Sequence, residues 1–380
     1  MRPLSYVRTR PSLQEVHAHF DHAACAVDEN LRSACYVERV ARHGDLNMAD
    51  IAAQAGVSIA SVSRALSGAP GVSEATRTRI RGLAAELNYA VSPDAARLAK
   101  GSRGRVAVVT ADLAHWFYAS LLEGIMTALR GSDLDVLLYE VKREEERRRF
   151  FDELPARRQV DALVILAFPV SDEERLQLDL MGVTVVMAGG VLGDQPHVRI
   201  DDVEAARQAT HHLILAGHER IALINATGRW RLQYAGPQDR FQGYLDALRD
   251  ADLPVQQALV VQAEWGSAGG ADAMARLLSL PRPPTAVVAF SDEMAFGALR
   301  TLRRSGIAVP HTVSLVGIDD HEMADVVELT TVRQPVLELG REAGSLVFRL
   351  LKGETVDEQH VTLPTQLVVR GTSNSPRTAG

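Results

Sequence analysis

The sequence predicts two kinds of structure in series: a small all-α helix-turn-helix headpiece with a short hinge helix, followed by an α/β region of two doubly wound parallel-sheet lobes. Three observations point there. Residues 48–67 read as two short helices around Gly56. From Arg105 onward, short β-branched and aliphatic runs alternate with amphipathic stretches, the texture of parallel strands joined by helical crossovers. That alternation occurs in two consecutive series, so two sheets are expected, with a crevice where their strand ends face each other.

Bulk properties narrow the class. With 380 residues, 46% hydrophobic and 23% charged, the chain has a soluble globular composition and room for two or three domains. No apolar run approaches bilayer length, and Arg2, Arg8 and Arg10 are not followed by the apolar core of a secretory signal, so a cytoplasmic location and no membrane partner are expected. Cys25 and Cys35 both precede the helical hairpin, which leaves no disulfide framework or zinc ribbon for the main fold. Together with His17, His19, His22 and His43 they fit no paired-ligand spacing, and no metal is expected. Residues 1–46 hold no sustained period and precede a Met48 placed where the module naturally begins; they read as a disordered extension or a start-site artefact.

The net charge of −7 is unevenly spread. Residues 47–104 carry seven basic and four acidic side chains, net +3, which leaves 34 of the 41 basic and 44 of the 48 acidic residues elsewhere, net −10. Contact with a polyanion must therefore be confined to the small basic module.

Taken in order, Ile51, Ala52 and Ala55 give the first helix an apolar stripe beside Asp50, Gly56 supplies the turn, and Val57, Val62 and Leu66 form the packing face of the second helix. Ser58, Ile59, Ala60, Ser61, Ser63 and Arg64 remain outward. Short side chains let a helix approach base edges, hydroxyls hold phosphates, and one Arg can fork onto a guanine. An ordinary helical hairpin carries the same pattern, so this motif alone decides nothing. A third helix spans Val72 to Tyr89, capped by Ser73 and burying Ile80, Leu83, Ala84 and Leu87. Residues 92–101 form a short helix with Pro93 near its start and Gly101 at its exit, too short to stand alone.

The first strand series is Val106 to Thr110, Val136 to Tyr139, Ala162 to Leu166 and Thr184 to Ala188, with helices at Tyr118 to Leu129 and Glu173 to Met181. The second is Ile221 to Asn225, Val260 to Ala263, Ala286 to Ala289 and Ser314 to Ile318, with helices near 203–216, 238–251, 267–279 and 292–305. The run Lys142 to Arg149 reads as a solvated helix face, because Glu144 with Arg148 and Glu145 with Arg149 lie one turn apart. His211 and His212 are read as surface residues. No nucleophile elbow, phosphate-cradling glycine loop or metal-ligand cluster stands out, so no enzyme is expected, and Asp201, Asp202, Asp319 and Asp320 read as helix caps and turn residues.

In this order the parts resemble the lactose/galactose repressor (LacI/GalR) family of bacterial transcription regulators, from about Met48 to about Thr372. The resemblance rests on Ala52-Ala-Gln-Ala-Gly-Val-Ser58, Ser61-Val-Ser-Arg-Ala-Leu66, Leu87-Asn-Tyr89, Ala95-Ala-Arg-Leu98, Ser291-Asp-Glu-Met-Ala-Phe-Gly297, Gly306-Ile-Ala-Val-Pro310, Ser314-Leu-Val-Gly-Ile-Asp-Asp320 and Thr331-Val-Arg-Gln-Pro335. It implies a headpiece over 47–91, a hinge helix and linker over 92–104, a periplasmic-binding-protein-like effector sensor over 105–372, and a disordered tail over 373–380. Within the sensor the N-lobe is expected at about 105–200 and 335–363, and the C-lobe at about 201–333 and 364–371.

The same resemblance implies roles. Ser58, Ile59, Ala60, Ser61, Ser63 and Arg64 face the DNA major groove, while Ala95 and Leu98 of paired hinge helices enter the minor groove. Arg240 and Asp292 hydrogen-bond a polar effector, Trp265 covers a sugar face, Phe117 and Tyr118 line the site, and Gln334 senses lobe orientation at a crossover. Trp116 stands where proline is usual, and Ala188-Gly-Gly190 lacks the polar residue common there. The expected function is a repressor of carbohydrate-utilisation genes, a homodimer or larger oligomer on a palindromic operator, with no cofactor and a sugar or sugar derivative as effector. A sugar-binding receptor would share the clamshell but require secretion, and a sugar-processing enzyme would require a reactive centre.

Overall fold

Asn47 starts the headpiece: its side-chain oxygen accepts from the amides of Ala49 and Asp50, while the Asp50 carboxylate accepts from the Asn47 amide. In a computed structural model, which describes residues 47–87, 89, 103–153, 159–227 and 235–376, the chain forms two compact units, one within Met1–Ala96 and one within Arg97–Gly380. The first holds α1 (Met48–Ala55), α2 (Ile59–Ser67) and α3 (Glu74–Glu86), the last two capped by Ser58 and Ser73. Gly56 closes α1 at φ +63°, a left-handed conformation that glycine adopts without penalty. Ile51, Ala52, Ala55, Val62, Ala65, Ile80 and Ala84 form the core, with Leu66 only partly buried against it. The third helix stops at Glu86 rather than Tyr89, whose amide turns back to the Ala84 carbonyl at 2.8 Å. Ala95, Leu98 and the other hinge residues up to 102 lie outside the described residues, as do residues 1–46.

The second unit contains two six-stranded sheets. In the N-lobe, β1 (Arg105–Thr110), β2 (Asp135–Glu140), β3 (Ala162–Leu166), β4 (Thr184–Ala188), β5 (His197–Ile200) and a late strand, β11 (His360–Leu363), run parallel in the order β11-β5-β4-β3-β1-β2. In the C-lobe, β6 (Ile221–Ala226), β7 (Val260–Ala263), β8 (Ala286–Ala289), β9 (Ser314–Asp319) and β10 (Thr330–Arg333) are parallel, and β12 (Gln366–Val368) closes the edge antiparallel to β10. Strands such as β3 and β8 are buried along their whole length, which is why they read as unbroken aliphatic runs.

Helices cover both sheets. In the N-lobe these are α4 (Trp116–Leu129), α5 (Glu144–Glu153) and α6 (Asp172–Met181); the C-lobe adds α7 (Asp202–Leu215), α8 (Ala235–Asp250), α9 (Ser267–Leu278), α10 (Asp292–Arg304) and the short α11 (Glu322–Val326). The chain then returns to the N-lobe as α12 (Val336–Leu351), packed along α4. Gly124 of α4 and Gly340 of α12 face each other so closely that a β-carbon on either would collide with a carbonyl of the opposite helix. The lobes are thus joined by three crossings: β5 to α7, β10 to α12, and β11 to β12.

Three sequence expectations need correction. The run 142–149 is not solvated throughout: Arg147 is 2% exposed, forks onto Glu174 at 2.6 Å through Nε and NH2, and lies over the rings of Phe151 and Phe168. A guanidinium can be buried there because a carboxylate and two aromatic faces replace its water. His212 is half-buried and bonds Ser373 Oγ at 2.8 Å. Ser373 and Asn374 accordingly do not begin a disordered tail; the Asn374 carbonyl accepts from the buried His218 at 2.9 Å, and His218 also meets Thr285 and Ser314. No helix among the described residues is long and apolar enough to cross a membrane.

Candidate functional site

On the headpiece, α2 presents its first turn outward. Ser58 Oγ accepts from the Ser61 amide at 3.2 Å and lies 2.9 Å from the Ser61 hydroxyl, so both hydroxyls are fixed at the helix N-terminus, where backbone amides favour anions. Ile59 is 53% exposed, and Ala60 and Arg64 are exposed beside it. Ser63 and Ser61 are half-buried, while Val62 and Ala65 face the core. Arg64 lies back along its helix, Nε donating to the Ala60 carbonyl at 3.1 Å, with its guanidinium beside Gly71.

The basic residues of the headpiece divide into two kinds. Arg77 donates from NH2 to the Ala69 carbonyl at 2.9 Å and from NH1 to the carbonyls of Arg64 and Ala65 at 3.3 and 3.5 Å. Arg79 donates to the Ala55 carbonyl at 2.8 Å. Both satisfy carbonyls left open where α2 and α1 end, where a cation also complements the helix dipole. Sequence reasoning counted these arginines only as charge; the structure uses them to tie α3 to the ends of α2 and α1.

The second site is the crevice between the lobes. Loops following β1, β4, β7, β8, β9 and β10 converge there, together with the β5–α7 crossing and the start of α8. The resulting cavity, about 390 Å³ including its solvent-open part, has aromatic walls from Phe117, Trp265 and Phe290 and polar walls from Asp202, Arg240, Asp319 and Gln334. Gly189 at φ +80° lets the backbone pass against the Phe117 ring.

Arg240 donates from Nε to Asp202 at 2.7 Å and from NH1 to the Phe290 carbonyl, and its guanidinium lies 4.4 Å from the Phe290 ring centre. Asp319 accepts from Gln334 Nε2 at 2.5 Å and from the Asp292 amide at 3.2 Å. Burial pushes the Asp319 carboxyl up to about 7, opposed by the charge of Arg240 and the hydrogen bond from Gln334. Asp292 is raised as well, by burial first and then by the charge of Asp319. Its two oxygens are taken by the Thr331 hydroxyl at 2.7 Å and the His321 amide at 2.9 Å, in a space that exists because residue 317 is glycine.

The mouth is closed by aromatic and hydrogen-bonding contacts between lobes. The Trp265 indole stacks on His115 at 4.9 Å and 13°, with Tyr118 at 5.6 Å and Phe290 at 5.7 Å. His115 Nδ1 meets Glu293 Oε2 at 2.6 Å, the other oxygen of Glu293 accepts from the Trp116 amide at 3.2 Å, and Trp116 leans on His321 at 4.9 Å. Trp265 Nε1 is buried with no partner among the described residues.

Of the residues expected here, Phe117, Arg240, Trp265 and Gln334 line the cavity. Tyr118 stands behind Phe117, its hydroxyl donating to the Ala167 carbonyl at 3.3 Å. Asp292 is displaced from its expected role, for it sits behind Asp319 with both oxygens used inside the C-lobe. Asp202 and Asp319, read from sequence as cap and turn residues, are on the wall instead. Asp201 does cap α7 through the Glu204 amide, and Asp320 pairs with Arg333 and Arg370 at 2.6 and 2.7 Å. Glu293 and His115 were missed altogether. The available signal for Asp319 was its position at the carboxyl end of a buried strand, where ligands of open α/β sheets bind.

Comparison with known proteins places these two sites side by side with others. Residues 47–92 match the family described as bacterial regulatory proteins, lacI family, and residues 210–373 match the periplasmic binding protein-like domain. The chain is similar to the HTH-type transcriptional repressor CytR of Escherichia coli strain K12, 32% identical over 340 residues covering 86% of this chain and 96% of that protein. Among solved structures it resembles the transcriptional regulator CelR in complex with cellobiose, at 33% identity and TM-score 0.65 over 86% of this chain and 100% of the other. It also resembles the lac repressor dimer bound to operator and the anti-inducer ONPF, at 27% identity and TM-score 0.74 over 87% of this chain and 99% of the other.

Proposed function

The chain belongs to the lacI family of bacterial regulatory proteins, and from that premise we propose a homodimeric repressor that holds a palindromic operator and changes affinity when a small sugar occupies the cleft. It is a DNA-binding transcriptional regulator, and its relatives are regulators rather than enzymes. The reading is of a cytoplasmic protein with no cofactor, controlling carbohydrate-utilisation genes.

In this reading the headpiece is 47–91 and the hinge 92–104. Ser58, Ile59, Ala60, Ser61, Ser63 and Arg64 meet the major groove, and Ala95 and Leu98 the minor groove. Ile59 touches only apolar features such as a thymine methyl, whereas Arg64 swings off the Ala60 carbonyl to reach a guanine. Phe117, Trp265, Arg240, Gln334, Asp202 and Asp319 meet the effector, and Asp292 and Tyr118 hold them in place.

The observation that carries the proposal is the cleft: an Arg–Asp pair, a Gln–Asp pair and three aromatic walls converge on one cavity beside the interlobe crossings. Hydroxyls satisfy such polar groups, and aromatic faces cover the C–H face of a pyranose. The test is fluorescence anisotropy of labelled palindromic promoter fragments with the full chain, with and without a sugar panel. A fragment bound well above random duplex and shifted at least about fivefold by one sugar supports the reading, since coupling energies are typically ~1–3 kcal/mol. Binding no stronger than to random duplex at any salt concentration overturns it.

A further inference from the structure

The charges around the cleft carry the argument one step further. Three described residues on its wall are ionisable: Asp202, Asp319 and Arg240. The cation is already engaged by Asp202 at 2.7 Å and by the Phe290 carbonyl, and it lies over the Phe290 ring, so it balances Asp202 and is not open to a second anion. Asp319 adds negative charge as its carboxyl ionises through about pH 7. More carboxyls stand behind. Asp292 lies against Asp319, Asp239 lies near Asp202, and Glu293 sits at the mouth, with Arg199 the nearby cation facing Asp239. Burial and the charge of Asp202 both hold the Asp239 carboxyl above its usual range, as expected where negative charge is crowded.

The hydrogen-bonding inventory leans the same way. Asp319 accepts one hydrogen bond on each oxygen and keeps further lone pairs, while the unpartnered donor on this wall is Trp265 Nε1. Such a wall suits a molecule with many O–H or N–H donors, one acceptor for the indole, and an apolar ring face for Phe117, Trp265 and Phe290.

Resting on the reading of the cleft as a sugar site, we propose that the effector is a non-anionic sugar, neutral or amino-substituted, and that its phosphate esters and sugar acids are excluded. A phosphate dianion would add charge beside Asp202 and Asp319 on a wall whose one described cation, Arg240, is buried and already paired. The regulator would then read the free sugar upstream of any phosphoryl-transfer step that consumes it.

The experiment is a thermal-shift and calorimetric titration of the full-length chain with matched sets of pentoses, hexoses and disaccharides, each as neutral sugar, amino sugar, phosphate ester and sugar acid. The expected result is a neutral or amino member that binds at least about tenfold more tightly than its phosphate and acid counterparts. With the titrations run at about pH 8, above the range where folded Asp319 holds its proton, Asp319→Asn narrows that gap; Asp202→Asn serves the same purpose if the first variant loses its native circular dichroism. A phosphorylated or acidic member binding as tightly as its neutral parent overturns this inference and leaves the sugar reading standing. A gap unchanged in both variants overturns charge as its cause. If no member of any charge binds, the sugar reading fails and this inference fails with it.

Discussion

Arg64 and Arg77 are both basic and lie on neighbouring helices, yet the structure gives them opposite duties. Arg64 is exposed at the outward face of α2, whereas Arg77 reaches three carbonyls at the end of that helix. Replacing Arg77 by Gln should lower headpiece stability by about 1–2 kcal/mol. It should leave the slope of log affinity against log salt unchanged, because no phosphate contact is lost. Arg64→Ala should instead cost about 1–3 kcal/mol of discrimination at one operator base pair. A slope reduced by about one unit in the Arg77 variant would place that side chain on DNA. Asp319 makes a separate prediction. Its carboxyl titrates at about 7 in the folded chain against an ordinary 3.8, so the folded state holds a proton that the unfolded chain has released. Stability should therefore fall as pH rises from about 4 to about 7, and Asp292, raised for the same reason, adds in the same direction. Melting curves across this range should be flatter in Asp319→Asn; a wild-type midpoint that climbs steadily over it would contradict the assignment.

At the scale of elements, the α4–α12 contact should be the least tolerant of added volume. Gly340→Ala should destabilise the second unit by about 1–3 kcal/mol, since a methyl group there meets the Leu121 carbonyl and the helices must separate. An unchanged calorimetric midpoint would show that the two helices can part freely. Those two helices also show what the sequence does and does not reveal. Ala162-Leu-Val-Ile-Leu166 and Ala286-Val-Val-Ala289 were legible to the residue, because a strand covered on both faces is aliphatic throughout. His197–Ile200, Thr330–Arg333, His360–Leu363 and Gln366–Val368 were not read as strands, being three or four residues long with polar side chains among the apolar ones. Helix α12 carries a clear apolar stripe, but Gly340 and Gly344 within it resemble breakers when they are contact positions. In the cleft, Asp202 and Asp319 were misread because an aspartate between a strand and a helix looks the same whether it caps or binds. Nothing local ties His115 to Glu293, 178 residues away.

Across the whole second unit, two lobes are tied by three crossings and closed at the mouth by Glu293, which accepts from His115 and from the Trp116 amide. Glu293→Gln should weaken this closure and lower effector affinity by about three- to tenfold in calorimetry, equivalent to roughly 1 kcal/mol. If closure is coupled to operator binding, the same factor must appear when effector is titrated against the protein–DNA complex, because linkage is reciprocal. Equal affinity in wild type and variant would mean that the mouth contacts follow closure without stabilising it. The stacking of Trp265 on His115 and the lean of Trp116 on His321 have an optical consequence. Two of the chain's three indoles sit where the lobes meet, so separating the lobes wets their rings and removes a neighbouring imidazole from each. Emission should move to longer wavelength when the clamshell opens, giving each molecule an intrinsic fluorescent gauge of its own state.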